Sequence, residues 1–135
     1  MKSLFVFLLL ITGSIAAFSQ SQAELNKQAN QEYKDADKKL NEIYQRIQKE
    51  YAGNKNFVHN LKDAQRIWIE LRDAQLKMMY PESAKNYGSV FPVCKANYLT
   101  LLTQQRIETL RAWLTQQPKD GDVCTGSVGD KQDKQ

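Results

Sequence analysis

The most constraining feature of this sequence is the spacing of its apolar residues, which recur at steps of three and four in three separate segments. The first stripe consists of Leu25, Ala29, Tyr33, Ala36, Leu40, Ile43, Tyr44, Ile47 and Tyr51. At about 100° per residue these positions fall within a stripe roughly 100° wide, which is typical of a helix that buries one face. The segment predicts a helix from about Gln22 to Tyr51, ended by Gly53.

The second and third segments continue this pattern. The second stripe consists of Phe57, Leu61, Ala64, Trp68, Leu71, Gln75 and Met78. Its alternating steps of four and three are those of knobs-into-holes packing between helices. The third stripe consists of Tyr98, Leu99, Leu102, Thr109, Leu110 and Trp113. Pro81 ends the second helix, and the segment PESAKNYGSVFPV, punctuated by Gly88 and Pro92, predicts a loop before the third.

Three helices with short connections predict an all-α fold, an antiparallel up-down-up three-helix bundle with a long first helix. A long coiled-coil homodimer is the alternative, because the spacing alone does not say which chain supplies the facing helix. We expect the helical domain to occupy residues 20–116. Residues 117–135 have almost nothing to bury and predict a flexible C-terminal tail.

The first nineteen residues, MKSLFVFLLLITGSIAAFS, predict a signal peptide over residues 1–19. They contain one lysine, an apolar run and then small residues before the expected cleavage site. The apolar run is too short to anchor the chain in a bilayer, and no cysteine follows for a lipid anchor. We therefore expect a periplasmic or secreted protein with no membrane span after cleavage.

The charge of the exported chain is small. Leaving out Lys2, 18 basic residues face 15 acidic residues. The basic residues are scattered among acidic ones and form no clustered stripe, whereas a basic stripe is typical of nucleic-acid binding. We expect no nucleic-acid partner.

The two cysteines, Cys94 and Cys124, are expected to enter an oxidising compartment, where a disulfide is the default. If residues 94–116 are helical, the helix is ~33 Å long at 1.5 Å per residue. The eight residues from 116 to 124 reach at most ~26–29 Å. A disulfide between Cys94 and Cys124 is therefore expected only if the tail runs straight back or the helix is shorter. Free thiols or a link between chains are the alternative.

Charged residues at the edges of the apolar stripes predict a polar cluster inside the bundle. Arg72 and Arg106 each lie about 40° from a member of their stripe, and Asp37 flanks the first stripe at about 60°. An unpaired charge near a core is costly, so each guanidinium needs a partner. We predict an interhelix cluster of Asp37, Arg72 and Arg106, with Tyr44 as a candidate further member.

No combination of residues in the sequence predicts catalysis. His59 is the single histidine and lies on the polar side of its helix, which favours a surface residue. One histidine and two distant cysteines do not make a metal site, and no nucleotide-binding or nucleophile motif occurs. Trp68 and Trp113 lie on inward stripes and favour core packing. We expect no enzyme, no cofactor and no metal.

Several segments carry a family resemblance. In order, they are AELNKQANQEYKDADKKLNEIYQ, LKDAQRIWIELRDAQ, GSVFP and LTLLTQQRIETLR. Together they resemble the LprI-type lysozyme-inhibitor N-terminal domain family over about residues 21–115. The resemblance implies a secreted or envelope-attached helical domain, with lysozyme inhibition known for the founding member. Family members usually have cysteines where this sequence has Gln28, Gln75 and Tyr98, so their disulfides are absent here.

The resemblance implies a non-enzymatic lysozyme inhibitor that acts by protein–protein binding. The loop PESAKNYGSVFP is the candidate binding element, with Lys85 and Tyr87 entering a cleft lined by two catalytic carboxylates. The alternative for this loop is that it only connects two helices. The alternative is an envelope binding or assembly module without lysozyme inhibition. Such a module would dock on another protein, or on an anionic cell-wall polymer through Lys34, Lys38 and Lys39. The expected partner is thus a lysozyme or another envelope protein, and the chain is a monomer or a homodimer.

Overall fold

The protein consists of three long helices in a computed structural model that describes residues 2–117 and 123–131, without the side chains of residues 2–20. The helices are α1 (Lys2–Glu50), α2 (Lys55–Met79) and α3 (Phe91–Thr115), with short 3-10 helices at Ala84–Tyr87 and Val123–Thr125. The described residues contain no strand. The predicted all-α fold with a long first helix is therefore confirmed, although α1 begins well before the predicted Gln22.

Contacts between the helices fix their relative directions. Phe57, at the start of α2, stacks on Tyr51, just after the end of α1, with ring centroids 4.4 Å apart. Further along, Arg72 of α2 lies 3.9 Å from Asp37 of α1, so these two helices run in opposite directions. The Tyr51 hydroxyl also donates to the carbonyl of Trp113, near the end of α3, at 2.8 Å. These pairings are consistent with the up-down-up arrangement.

The core lies mainly between α1 and α3, which pack on each other more extensively than α2 packs on α3. The buried apolar residues on these two helices and the short turn after α1 are Ala29, Ala36, Leu40, Ile43, Ile47, Tyr51, Ala96, Leu99, Leu102, Ile107 and Leu110. Each fully buried leucine or isoleucine contributes roughly 1.5–3 kcal/mol relative to an exposed position. The facing sides of α1 and α3 therefore supply most of the stabilisation by apolar burial.

The rotation of α2 differs from the prediction. Leu71 is 54% exposed and Met78 is 74% exposed, and Ala64 is also exposed, although all three were predicted to face inward. Gln65, which is buried, takes the place of Ala64, and the half-buried Arg72 takes the place of Leu71. The inward face is therefore displaced by one residue, or about 100° around the helix, at these two positions.

Local sequence explains where α2 and α3 begin. The Asn54 side chain accepts the Phe57 N–H at 3.0 Å, which satisfies one of the free donors in the first turn of α2. Pro92 lies in the first turn of α3, where the N–H that proline lacks has no helical partner to bond. The connection therefore ends at Val90, and the last three residues of the predicted loop, Phe91, Pro92 and Val93, belong to α3.

The C-terminal segment differs from the predicted flexible tail over residues 123–131. Gly129 is buried, and its N–H donates to the Tyr51 hydroxyl at 2.8 Å. Its φ of 80° is in the left-handed region, which glycine adopts without steric strain. The Lys131 ammonium donates to the Leu114 carbonyl at 2.8 Å. This segment therefore packs against the end of the bundle.

Candidate binding loop and interhelix polar cluster

Four aromatic side chains hold together the two ends of the connection between α2 and α3. The Tyr80 ring meets Tyr87 and Phe91 edge-on, at centroid distances of 5.4 and 5.2 Å. Tyr87 and Phe91 stack at 5.2 Å with an angle of 20° between their planes. Tyr98 of α3 lies 6.4 Å from Tyr80. Such pairs contribute about 0.5–1.5 kcal/mol each beyond their buried area, so the cluster favours one arrangement of the loop.

The backbone of this loop is also held by hydrogen bonds. The Tyr87 hydroxyl accepts the Glu82 N–H at 2.9 Å, and the Asn86 N–H donates to the Ser83 carbonyl at 2.9 Å. Gly88 follows with φ 72°, a conformation that disfavours residues with a Cβ. Ring packing and backbone bonding together make an exposed loop with a defined shape.

The two predicted binding residues of the loop have different environments. Lys85 is exposed, and its ammonium forms no ion pair within the part of the chain that the structure describes. Tyr87 is half-buried and is held by its rings and its hydrogen bond. Tyr87 therefore supports the loop from within, whereas the Lys85 side chain is exposed on its surface.

The predicted polar cluster is partly assembled around Arg72. The Arg72 side chain is 14% exposed and lies 2.9 Å from Asp73 and 3.9 Å from Asp37. Its guanidinium carbon also lies 5.4 Å from the centre of the Trp68 ring, a cation–π distance. The nearer carboxylate, Asp73, is its neighbour in sequence. Asp37 is thus a second and looser partner of Arg72.

Arg106 joins the same region through different partners. Its Nε donates to Gln65 Oε1 at 3.1 Å, and its guanidinium carbon lies 5.8 Å from the Trp68 ring centre. Asp37 forms no ion pair with Arg106 among the described residues, and Tyr44 packs against the apolar core. The indole of Trp68, which lies within cation–π distance of both guanidinium groups, is therefore the feature that connects Arg72 with Arg106.

Burial and charge in this cluster shift two pKa values. Burial is the main cause that raises the pKa of the Tyr33 hydroxyl above its ordinary value of 10.0. The nearby Arg72 charge lowers this pKa, and the carboxylates of Asp37 and Asp73 raise it. Burial lowers the pKa of Arg106, which remains a cation at neutral pH because arginine begins from such a high value. Tyr33 was not a predicted member of the cluster, because its place on the apolar stripe indicated packing alone.

A second polar group joins the end of α1 to the C-terminal segment. Glu50 Oε2 lies 2.8 Å from the Lys131 ammonium and Glu50 Oε1 lies 2.6 Å from Arg46 Nε. The hydrogen bond from Lys131 is the main cause that holds the pKa of Glu50 below its ordinary value of 4.5. Trp113 Nε1 also approaches the Ser127 hydroxyl at 3.5 Å. These contacts are structural, and sequence periodicity gives no sign of them.

The two cysteines are not brought together. Cys94 lies in the first turn of α3, and Cys124 lies in the short 3-10 helix near the opposite end of the bundle. From Cys94 to Trp113, α3 spans about 29 Å at 1.5 Å per residue. No disulfide joins Cys94 to Cys124, because the C-terminal segment packs at the far end of α3 instead of returning along it.

The described residues contain few side chains suited to catalysis or metal binding. His59, with a side chain 76% exposed, lies 3.3 Å from Asp63 on the surface of α2. Within residues 2–117 and 123–131, no three histidine, cysteine or acidic side chains converge as metal ligands do. No described helix combines the length and the apolar character needed to cross a membrane.

The fold and the loop define a class of protein, namely a small three-helix bundle with an exposed loop that is held by its own packing. The sequence pattern of the lysozyme inhibitor LprI family matches residues 15–110, and the chain belongs to this family. The resemblance inferred from the sequence is thus confirmed. The chain is also 35% identical over 105 residues to the uncharacterised protein R02472 of Rhizobium meliloti (strain 1021), an alignment that covers 67% of this chain and 72% of the relative. No solved structure matches the chain.

Proposed function

We propose that the protein is an exported lysozyme inhibitor that binds its target through the loop between α2 and α3. Membership of the lysozyme inhibitor LprI family supports the target. The predicted signal peptide supports export. An exported protein can meet a lysozyme, because lysozymes act on the cell wall outside the cytoplasm. In this proposal the protein acts as a binder and carries out no reaction of its own.

The observation that carries the proposal is the exposed Lys85 on a loop held by packed rings. A loop that is already ordered loses little conformational entropy on binding, so more of its contact energy appears as affinity. Tyr87, which stacks on Phe91 at 5.2 Å and accepts the Glu82 N–H, keeps the loop in that state. Lys85 is then free to extend from a defined position.

The chemistry of the target matches this side chain. Glycoside hydrolases of the lysozyme type hold two carboxylic side chains on either side of the bond they cleave. A lysine ammonium that enters this cleft gains an oppositely charged partner in a site shielded from water. Truncating one partner of such a buried charge pair costs about 2–5 kcal/mol, roughly 30-fold or more in affinity.

A muramidase assay tests the proposal. Purified protein should protect a cell-wall substrate from a lysozyme in a dose-dependent and saturable manner. Lys85→Ala should weaken the inhibition roughly 30-fold, and Lys85→Glu should weaken it further. Lys62→Ala is the matched control, because Lys62 is an exposed lysine on α2, well away from the loop in sequence. Full protection by Lys85→Glu would refute the role of the loop, and no protection by the wild-type protein against several lysozyme types would refute inhibition itself.

The second candidate is binding of an anionic wall polymer, and one cleft favours it. The cleft lies between all three helices, measures about 820 Å³, and has Lys27, Arg72, Lys77 and Lys95 in its walls with Asp73 as the one carboxylate. A groove with such a charge imbalance attracts polyanions. Retention of the protein on a phosphate-rich wall polymer, lost at high salt and in Lys77→Glu, combined with no lysozyme inhibition, would favour this function over the first.

A further inference from the structure

One face of α2 is apolar and exposed along the second half of the helix. Ile67 is 53% exposed, Leu71 54% and Met78 74%, and Ala64 and Ala74 on the same face are also exposed. These five residues follow one another at steps of three, four, three and four. Contiguous apolar surface of this kind on a protein usually marks an interface.

The spacing indicates the kind of partner that fits this face. Alternating steps of three and four place successive side chains along a narrow seam, which packs against a second helix with the same spacing. A neighbouring side of α2, about 100° around the helix, carries Gln65, Trp68 and Arg72 and already faces the bundle. The exposed seam is therefore a second, unpartnered packing face of the same helix.

We propose that this seam binds α2 of a second copy of the chain in an antiparallel pair. Charges beside the seam favour this occupant. When Ile67 lies opposite Leu71 of the partner subunit, Ala64 lies opposite Ala74 of the partner subunit, and Met78, at the end of the seam, lies opposite Asn60 of the partner subunit. Asp63 then lies close to Lys77 of the partner subunit. The two-fold symmetry repeats this pair, so the dimer has two such ion pairs and each copy supplies the aspartate of one and the lysine of the other.

The observed environments of these charges agree with the pairing. Lys77 is exposed and forms no ion pair among the described residues. The Asp63 side chain is 50% exposed and has His59 at 3.3 Å and Arg66 at 4.0 Å on its own helix. Glu70 would approach its own copy near the two-fold axis, where its charge is offset by Arg66 at 2.9 Å. In a parallel pair, by contrast, Asp63 would face Trp68 of the partner subunit and gain no opposite charge.

The contact is small, because α2 has 25 residues and is only about 37 Å long. Two such helices bury less than the roughly 1,600 Å² of a standard interface. We therefore expect a reversible dimer with a micromolar dissociation constant. The dimer does not depend on lysozyme binding, since its seam is separate from Lys85.

Analytical ultracentrifugation tests the pairing. The protein is purified from cells that express the full chain and is measured at concentrations from roughly 5 to 500 µM. The wild-type protein should pass from monomer to dimer. Leu71→Glu should weaken the dimer at least about tenfold, whereas Ile69→Glu should not. Ile69 is the matched control, because it is 41% exposed but lies on another side of α2. Circular dichroism checks that each variant keeps its helices.

A charge exchange tests the direction of the pair independently of folding effects at Leu71. Asp63→Lys and Lys77→Asp should each weaken the dimer about tenfold, and the double variant should recover most of the loss. A wild-type protein that stays monomeric at every concentration would overturn the proposal. A double variant that dimerises no better than the single variants would overturn it equally.

Discussion

Replacing Tyr51 by phenylalanine removes one hydroxyl that connects α3 and the C-terminal segment to the end of α1. The Tyr51 side chain is 0% exposed. Its hydroxyl donates to the Trp113 carbonyl and accepts the Gly129 N–H, each at 2.8 Å. The ring stacks on Phe57 at 4.4 Å, and phenylalanine keeps this contact. The substitution therefore isolates the contribution of the two hydrogen bonds.

The expected loss follows from what the hydroxyl leaves behind. A hydrogen bond contributes about 1 kcal/mol net, and a buried donor or acceptor left without a partner costs about 1–3 kcal/mol. Gly129 is buried, so water does not readily replace the lost acceptor. We expect Tyr51→Phe to lower the free energy of unfolding by about 2–3 kcal/mol, which corresponds to a decrease in Tm of roughly 8–12 °C for a domain of this size.

Urea denaturation followed by circular dichroism measures this loss, and limited proteolysis reports whether the C-terminal segment is released. Tyr44→Phe is the matched control. Tyr44 is half-buried and packs against the same core, but its hydroxyl makes no hydrogen bond among the described residues. The control should stay within about 0.5 kcal/mol of the wild-type protein. If Tyr51→Phe does the same and the segment stays protected from proteolysis, the hydroxyl does not hold the segment.

Three further predictions concern stability and loop order. Thr103→Val should raise the free energy of unfolding by about 1 kcal/mol in urea denaturation, because the buried Thr103 hydroxyl has no hydrogen-bond partner within the described part of the chain. Lys131 lowers the pKa of Glu50 from 4.5, so this pair contributes stability above pH 4.5 that is lost as the pH falls through the folded-state pKa. Lys131→Ala should therefore flatten the acid side of the stability profile. Tyr87→Phe should speed hydrogen exchange at the Glu82 amide, whose acceptor it removes, and an unchanged rate would contradict the bonded loop.

The first and third helices could be predicted largely from sequence because each has one dominant apolar stripe, although two predicted members of these stripes, Leu25 and Thr109, are exposed. Leu40, Ile43 and Ile47 of α1 are buried at 1%, 6% and 0% exposure, as their spacing predicts. Leu102 and Leu110 of α3 are buried as well. Where one face of a helix is clearly more apolar than the others, burial of that face decides its orientation.

The rotation of α2 could not be predicted because the helix has two competing faces. Periodicity selects the more apolar one, with Leu71 and Met78. The bundle instead accepts Gln65 and Arg72, because their polar groups find partners: Gln65 bonds Arg106, and Arg72 has two carboxylates and an indole nearby. Apolar periodicity does not detect polar side chains that are buried together with their hydrogen-bond or ion-pair partners.

Contacts between distant parts of the chain also could not be predicted from the periodicity of the sequence. The bond between Tyr51 and Gly129 joins residues 78 positions apart, and the segment around Gly129 has a composition typical of flexible tails. In the loop, the different roles of Lys85 and Tyr87 depend on which ring packs against Tyr80 and Phe91. The sequence identified the loop as the candidate but not the side chain that it presents.

The most direct test of the central claim is a calorimetric titration of the protein with a lysozyme, in the presence and absence of an oligosaccharide fragment of the cell-wall substrate. Insertion of Lys85 into the catalytic cleft predicts saturable binding that the oligosaccharide suppresses by competition. Binding that is equally strong when the oligosaccharide fills the cleft would contradict the account, and so would the absence of any binding.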